Sequence, residues 1–185
     1  MAGSSGTRNT VLSITFCGMM AALGVVLMLI GSVLAVLTYA APLIASVCLI
    51  PVLTEYGKGK ALLCYIASAI LAVLLSPDKE LAFFYVFLGY YPILRPLLTR
   101  IGPKAARFIV KLVFFALVIG ALYLFLYFVM RLDVVMKDLS DNGMLLNVLF
   151  FAGLTLCMLI YDAALGVCEL LYLRRIRPKL KFLGR

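Results

Sequence analysis

Polar side chains recur along the last apolar segment of the chain at a spacing that brings them together on a helix. Eight, seven and seven residues separate the four members, Asn147, Thr155, Asp162 and Glu169. At about 100° per residue they share a stripe roughly 80° wide, which should face a helix bundle rather than lipid. Asp162 lies roughly 18 Å from Arg174 along a helix axis, so we expect a carboxylate near mid-membrane.

Two basic residues flank neighbouring apolar segments and could meet these carboxylates. We predict a structural ion pair of Arg95 and Lys111 with Glu169, or more deeply with Asp162. Charges inside a membrane are costly and need a partner, which favours the structural interpretation for Glu169. For Asp162 a structural role and a substrate-binding role both remain open.

Tyrosines in the outer halves of the predicted spans form a second group. Its members are Tyr85, Tyr123 and Tyr127, with Asn147 beside them. Interfacial tyrosines commonly form a belt that needs no ligand. The same residues could line an outward-facing pocket for a planar solute, supplying stacking surface and hydroxyls. We therefore take these four and Asp162 as candidate substrate-binding residues.

The sequence lacks the residues that several kinds of catalysis require. The chain has no histidine, which excludes a Ser-His-Asp arrangement and an H-E-x-x-H helix, and it has no glycine-rich phosphate loop. Its five cysteines lie in apolar segments without a C-x-x-C pair, so we expect no metal site. We expect no cofactor and no enzymatic activity.

The composition indicates a membrane protein. The 185 residues are 65% hydrophobic and 14% charged, whereas a soluble domain carries about 25% charged residues. Apolar runs recur at a length that lets a helix cross a bilayer, and the alternation of a barrel strand is absent. We predict an all-α, polytopic, compact bundle of six transmembrane helices. The predicted spans are about 11–31, 41–54, 61–75, 81–94 (or to 99), 108–130 and 144–173.

The positive charges predict the orientation. Fourteen Lys and Arg residues fall on one side of these spans, including six in the tail, and three fall on the other. Such a bias places the richer side in the cytoplasm. We therefore predict a cytoplasmic segment 1–10, a membrane domain 11–173 and a basic cytoplasmic tail 174–185, in a plasma-membrane protein. Orientation in a membrane, not nucleic-acid binding, accounts for the net charge of +9, and we expect membrane lipids as partners.

Breaks in the apolar pattern predict where helices turn. Pro51 should kink or end the second span, and Pro92 should break the fourth. The glycine-punctuated stretch from Glu55 to Lys60 predicts a tight turn. The stretch 76–80, Ser-Pro-Asp-Lys-Glu, is a polar turn that suits helix initiation.

Small residues on the first span predict close helix packing. Gly18 and Ala22 form a small-xxx-small pair, which lets another helix approach closely in lipid. The partner is either a neighbouring span of this chain or a separate protein.

Three features resemble the substrate-binding components of energy-coupling-factor vitamin transporters. They are the small residues Gly18-Met-Met-Ala-Ala22, the Ile50-Pro51 turn before the third span, and the basic tail after the last span. The resemblance implies that Gly18 and Ala22 dock a coupling subunit. It also implies that the chain binds a vitamin-like solute and depends on a separate ATPase pair.

Two other classes of protein remain open. A non-transporting scaffold of the cell envelope would be packed solid where a transporter subunit has an outer cavity. A membrane enzyme would require a second deep polar group facing Asp162, and none is evident in the sequence.

Overall fold

The computed structural model describes residues 3–34, 39–99, 104–125 and 144–179. These residues are helical almost throughout, as their composition predicts. The α-helices of these ranges are α1 (Gly3–Val33), α2 (Ala40–Val47), α3 (Leu49–Leu75), α4 (Lys79–Leu88), α5 (Tyr91–Leu98), α6 (Lys104–Phe125) and α7 (Met144–Leu171). A π-helical turn (Tyr172–Ile176) and a 3₁₀ turn (Arg177–Lys179) follow α7 directly.

The second predicted span is interrupted near Pro51. Helix α2 ends at Val47 and α3 begins at Leu49, which places Pro51 in the first turn of α3. A proline ring clashes with the carbonyl four residues earlier, and for Pro51 that residue is Val47. The predicted end of a helix is therefore confirmed. Its position is one helical turn before the proline.

The predicted turn from Glu55 to Lys60 is a sharp bend centred on Gly57. This residue has φ +83° and ψ 178°, whereas the residues on both sides are helical. Only glycine adopts such a backbone conformation without strain. We call 49–56 the first arm of α3 and 58–75 its second arm.

A capped turn and a short break delimit α4. The Asp78 carboxylate accepts hydrogen bonds from the backbone N–H groups of Glu80 (3.1 Å) and Leu81 (3.4 Å), which confirms helix initiation in the predicted polar turn. Helix α4 ends at Leu88. Because α5 resumes at Tyr91, the break precedes Pro92, which occupies the first turn of α5.

The chain divides into two compact units. The first unit comprises Met1–Leu94 and Leu165–Arg185, and the second comprises Arg95–Ala164. Buried side chains of the first unit form two clusters. The Phe16 cluster consists of Phe16, Ala21, Leu49, Val52, Ala61, Cys64 and Ile93. The Met28 cluster consists of Val25, Met28, Ala41, Ala45, Ala69, Ala72, Leu81, Ala82 and Tyr85.

The order of these residues along the chain gives the direction of each segment. Helix α1 runs from the Phe16 cluster to the Met28 cluster, and α2 with the first arm of α3 runs back. The second arm runs from the Phe16 cluster to the Met28 cluster, as α1 does. Helices α4 and α5 lead back to the Phe16 cluster. Lys60 contacts Ser13 and Cys64 contacts Cys17, so α1 and the second arm are parallel. Residues 10–94 therefore run between the clusters in alternating directions.

Four helical stretches in the described ranges are long and apolar enough to cross a membrane. They are Thr10–Val33, Leu49–Leu75, Lys79–Leu98 and Ala152–Lys179. Large apolar side chains such as Ile14, Leu63 and Leu74 are mostly exposed on these helices, as lipid contact requires. The fifth predicted span, 108–130, extends past Phe125, the last residue described in that range, and the count of six spans remains a prediction.

Candidate functional site

In the described part of the second unit, three charged side chains meet at the Asp162 carboxylate. Helix α5 supplies Arg95, α6 supplies Lys111 and α7 supplies Asp162. The Arg95 Nε donates to Oδ1 at 3.1 Å, and the Lys111 Nζ donates to Oδ2 at 2.5 Å. One carboxylate therefore links three helices through both of its oxygens.

All three charges are largely removed from the surface. The side chains of Arg95, Lys111 and Asp162 are 18%, 10% and 13% exposed. Taking ions out of water costs several kcal/mol each, and close pairing is what offsets that cost. The contacts are those of an electrostatic cross-link, and they support the structural interpretation of Asp162. Its assignment as a substrate ligand stays a prediction.

The predicted pairing therefore involves the deeper carboxylate. Both cations contact Asp162, which was the second of the two partners considered for them. Glu169 lies two turns further along α7, in the first unit, and is half-buried. A pairing of Glu169 with Arg95 or Lys111 remains a prediction. The sequence spacing gave no measure of which acid faces α5 and α6.

Tyr85 belongs to the interior of the first unit. Its side chain is 1% exposed, and its Oη lies 2.9 Å from the Ser68 Oγ. Because the Ser68 hydroxyl donates to the Tyr65 carbonyl, the Tyr85 hydroxyl is the donor in this pair. The Tyr65 ring packs 5.8 Å from the Tyr85 ring. Tyr85 thus serves as a core residue here.

The rest of the predicted outer pocket falls outside the described side chains. This holds for the side chains of Tyr123 and Asn147 and for the whole of Tyr127. The pocket formed by these residues with Tyr85 therefore remains a prediction.

A shallow groove of about 330 Å³ lies on the surface of the first unit. It is lined by Tyr65, Ile66, Ala69, Ile70, Val73, Leu74 and Val86. Ile66, Ile70 and Leu74 are exposed beside it, so the groove opens toward the lipid-facing side of the second arm. Sequence reasoning missed it because an apolar groove has the same composition as any lipid-facing helix surface.

A second ionic cluster joins the tail to the bend in α3. Glu55 is only 5% exposed in its side chain and accepts from the Arg177 Nε at 3.1 Å. The Tyr172 hydroxyl donates to the same carboxylate at 3.4 Å. On the other side of the bend, the Lys60 Nζ donates to the Ser13 Oγ at 2.6 Å and lies over the Tyr56 ring. Residues near both ends of the chain thus meet this bend.

The small residues of α1 divide between two faces. Gly18 and Ala22 are exposed, and a Cβ added at Gly18 would meet nothing within 4 Å. Ala21 is buried, as is Gly24, where an added Cβ would lie 3.6 Å from the Ala45 carbonyl. Internal packing therefore uses Ala21 and Gly24. The Gly18–Ala22 face is uncovered by the described residues.

The cysteines and acids of the described ranges do not assemble a metal site. No group of three His, Cys, Asp or Glu side chains comes together there, and all five cysteines are free thiols. Cys64 instead donates a hydrogen bond to the Cys17 carbonyl.

The chain matches no protein-family model, no curated protein and no solved structure.

Proposed function

We propose that the chain is the small-molecule-binding membrane subunit of an energy-coupling-factor-type transporter, working in the plasma membrane with separate coupling and ATPase subunits. The observation that carries this proposal is the exposed face of α1 around Gly18 and Ala22. Contact with lipid does not require a glycine at an exposed position. A glycine there does let the backbone of a second helix approach closely.

The topology of the first unit supports the same proposal. Residues 10–94 run between two core clusters in alternating directions. Ser13 meets Lys60 and Arg177 meets Glu55, so residues near both ends of the chain lie at one end of this unit. That arrangement fits an even number of crossings. Together with the charge bias of the sequence, it fits six spans and two cytoplasmic termini.

Co-purification from native membranes tests the docking surface. We expect Gly18→Leu and Ala22→Leu to release the coupling subunit without lowering the melting temperature, because both positions are exposed. Met19→Leu is the matched control, since Met19 is 59% exposed and already bulky. Gly24→Leu should instead lower the melting temperature, because its face meets Ala45. Unchanged co-purification in both docking variants would exclude this surface.

A scaffold protein of the cell envelope is the second candidate function. The observation that favours it is the burial of Tyr85, whose hydroxyl is hydrogen-bonded to Ser68 inside the first unit and does not line the groove on the surface of that unit. A scaffold would use the α1 face for a protein partner and would hold no solute. Mass spectrometry of molecules retained by the purified protein separates the two functions.

A further inference from the structure

The C-terminal end of the first unit carries a fixed group of exposed cations. Tyr172 and Arg177 both contact the buried Glu55 carboxylate, so the turns that follow α7 are held against the bend in α3. These contacts leave a set of side chains at the surface. The exposed basic residues of this set are Lys58, Arg174, Arg175 and Lys179.

The balance of charge at this end is strongly positive. Six described cations belong to it, namely Lys58, Lys60, Arg174, Arg175, Arg177 and Lys179. These cations lie in the stretches 55–60 and 169–179, which hold two acids, Glu55 and Glu169. The surplus over these two stretches is four positive charges. Glu55 is already engaged by Arg177, so it does not neutralise the exposed group.

Exposed apolar side chains lie beside these cations. Leu170 and Leu171 directly precede the buried Tyr172 and are 54% and 49% exposed, and Ile176 is 48% exposed. Apolar side chains turned outward next to arginines are typical of the boundary between acyl chains and headgroups. The stretch Ala152–Lys179 is also apolar and long enough to span a membrane, so its end belongs at that boundary.

We propose that Arg174, Arg175, Lys179 and Lys58 form a binding surface for anionic phospholipid headgroups of the cytoplasmic leaflet. Clusters of four or more cations next to a membrane helix attract such lipids, and each cation strengthens binding about fivefold. Glu55 is a positioning residue, because it holds the tail through Tyr172 and Arg177 rather than contacting the headgroup. This surface is independent of the proposed transport function.

Lipid titration of the purified full chain tests the surface. Native mass spectrometry would measure the apparent Kd for phosphatidylglycerol and for phosphatidylcholine, with melting curves to verify folding. We expect wild type to prefer phosphatidylglycerol, and added salt to reduce that preference. Arg174→Gln with Arg175→Gln should weaken phosphatidylglycerol binding on the order of 25-fold, whereas Arg174→Lys with Arg175→Lys should retain most of it.

Two controls decide what the cations recognise. Lys79→Gln removes one exposed charge at the opposite end of the first unit and should leave the Kd unchanged. Inorganic phosphate should not displace the lipid, since it lacks the acyl chains that contact Leu170 and Leu171. The proposal is overturned if the double glutamine variant binds both lipids as wild type does. It is also overturned if that variant loses an acidic partner protein while keeping its lipid preference.

Discussion

The Asp162 carboxylate joins three helices, because it pairs with cations from two others. Arg95 and Lys111 reach it from α5 and α6. Removing the acid would leave two largely buried cations without their shared partner. Breaking a buried ion pair in this way costs more than replacing all of its members by apolar side chains.

We therefore expect Asp162→Asn to insert into the membrane but to lower the free energy of unfolding by about 3–5 kcal/mol. Denaturant or thermal unfolding in detergent measures the change. Adding Lys111→Met to Asp162→Asn should recover part of the loss, since the second change removes one of the two cations that had shared the carboxylate. Wild-type melting of Asp162→Asn would show that the cross-link contributes nothing.

Tyr85 gives a second prediction at the residue scale. Its hydroxyl donates to Ser68 inside the core, so Tyr85→Phe should lower stability by about 1 kcal/mol. In the Ser68→Ala background the same substitution should cost much less, because the acceptor is already gone. A double-mutant cycle measures this coupling. If Tyr85→Phe lowered stability equally in both backgrounds, the hydrogen bond would be contradicted. If Tyr85→Phe abolished solute binding without changing stability, Tyr85 would be a pocket residue instead.

At the scale of the element, Gly57 determines how α3 is divided. It allows the chain to reverse between the first and second arms, both of which contribute to the Phe16 cluster. Its neighbour Gly59 is helical and also has open space around it. The two glycines therefore differ in backbone conformation and not in crowding.

Gly57→Ala should lower the free energy of unfolding by about 1–3 kcal/mol, because φ +83° with ψ 178° strains any residue that has a Cβ. Gly59→Ala should raise stability by about 0.5–1 kcal/mol, since alanine restricts the unfolded chain without strain. Unfolding of the two variants under one condition gives the comparison. Equal effects would mean that the bend at Gly57 is not the conformation in the folded protein.

Local signals in the sequence predicted the helix boundaries well. Pro51, the Gly57 turn and the Asp78 cap each act within one helical turn, so their consequences can be read from neighbouring residues. The Glu55–Arg177 contact joins residues far apart in the chain and has no such local signal. The burial of Tyr85 was missed for a related reason. A tyrosine is compatible with a membrane interface and with a core. Only the position of its hydrogen-bond partner, Ser68, distinguishes the two for Tyr85.

At the scale of the whole molecule, the charge bias predicts one topology, and the direction of the second arm between the core clusters of the first unit is compatible with it. Lys58 follows the bend at the Phe16-cluster end of the second arm, and Lys79 begins α4 at the Met28-cluster end. The sequence predicted these opposite ends from the positive-inside rule alone. It did not predict which helix faces meet, because most residues of every span are apolar.

Thiol labelling of intact cells tests this topology. In a background with the five cysteines replaced by alanine, Lys79→Cys should react with an impermeant reagent from outside, and Lys58→Cys should react only after lysis. Lys179→Cys should be labelled as Lys58→Cys is, because nearby Arg177 contacts Glu55 next to the same bend. Labelling of Lys58→Cys and Lys79→Cys from the same side would rule out a crossing by the second arm.

The central claim, a solute-binding subunit of a multi-component transporter, is tested most directly by one affinity purification from native membranes. Mass spectrometry would identify both the proteins and the small molecules that remain bound to the wild-type chain. We expect a coupling subunit, an ATPase pair and a single retained solute. Recovery of envelope-assembly proteins with no solute would contradict it and would make the chain a scaffold.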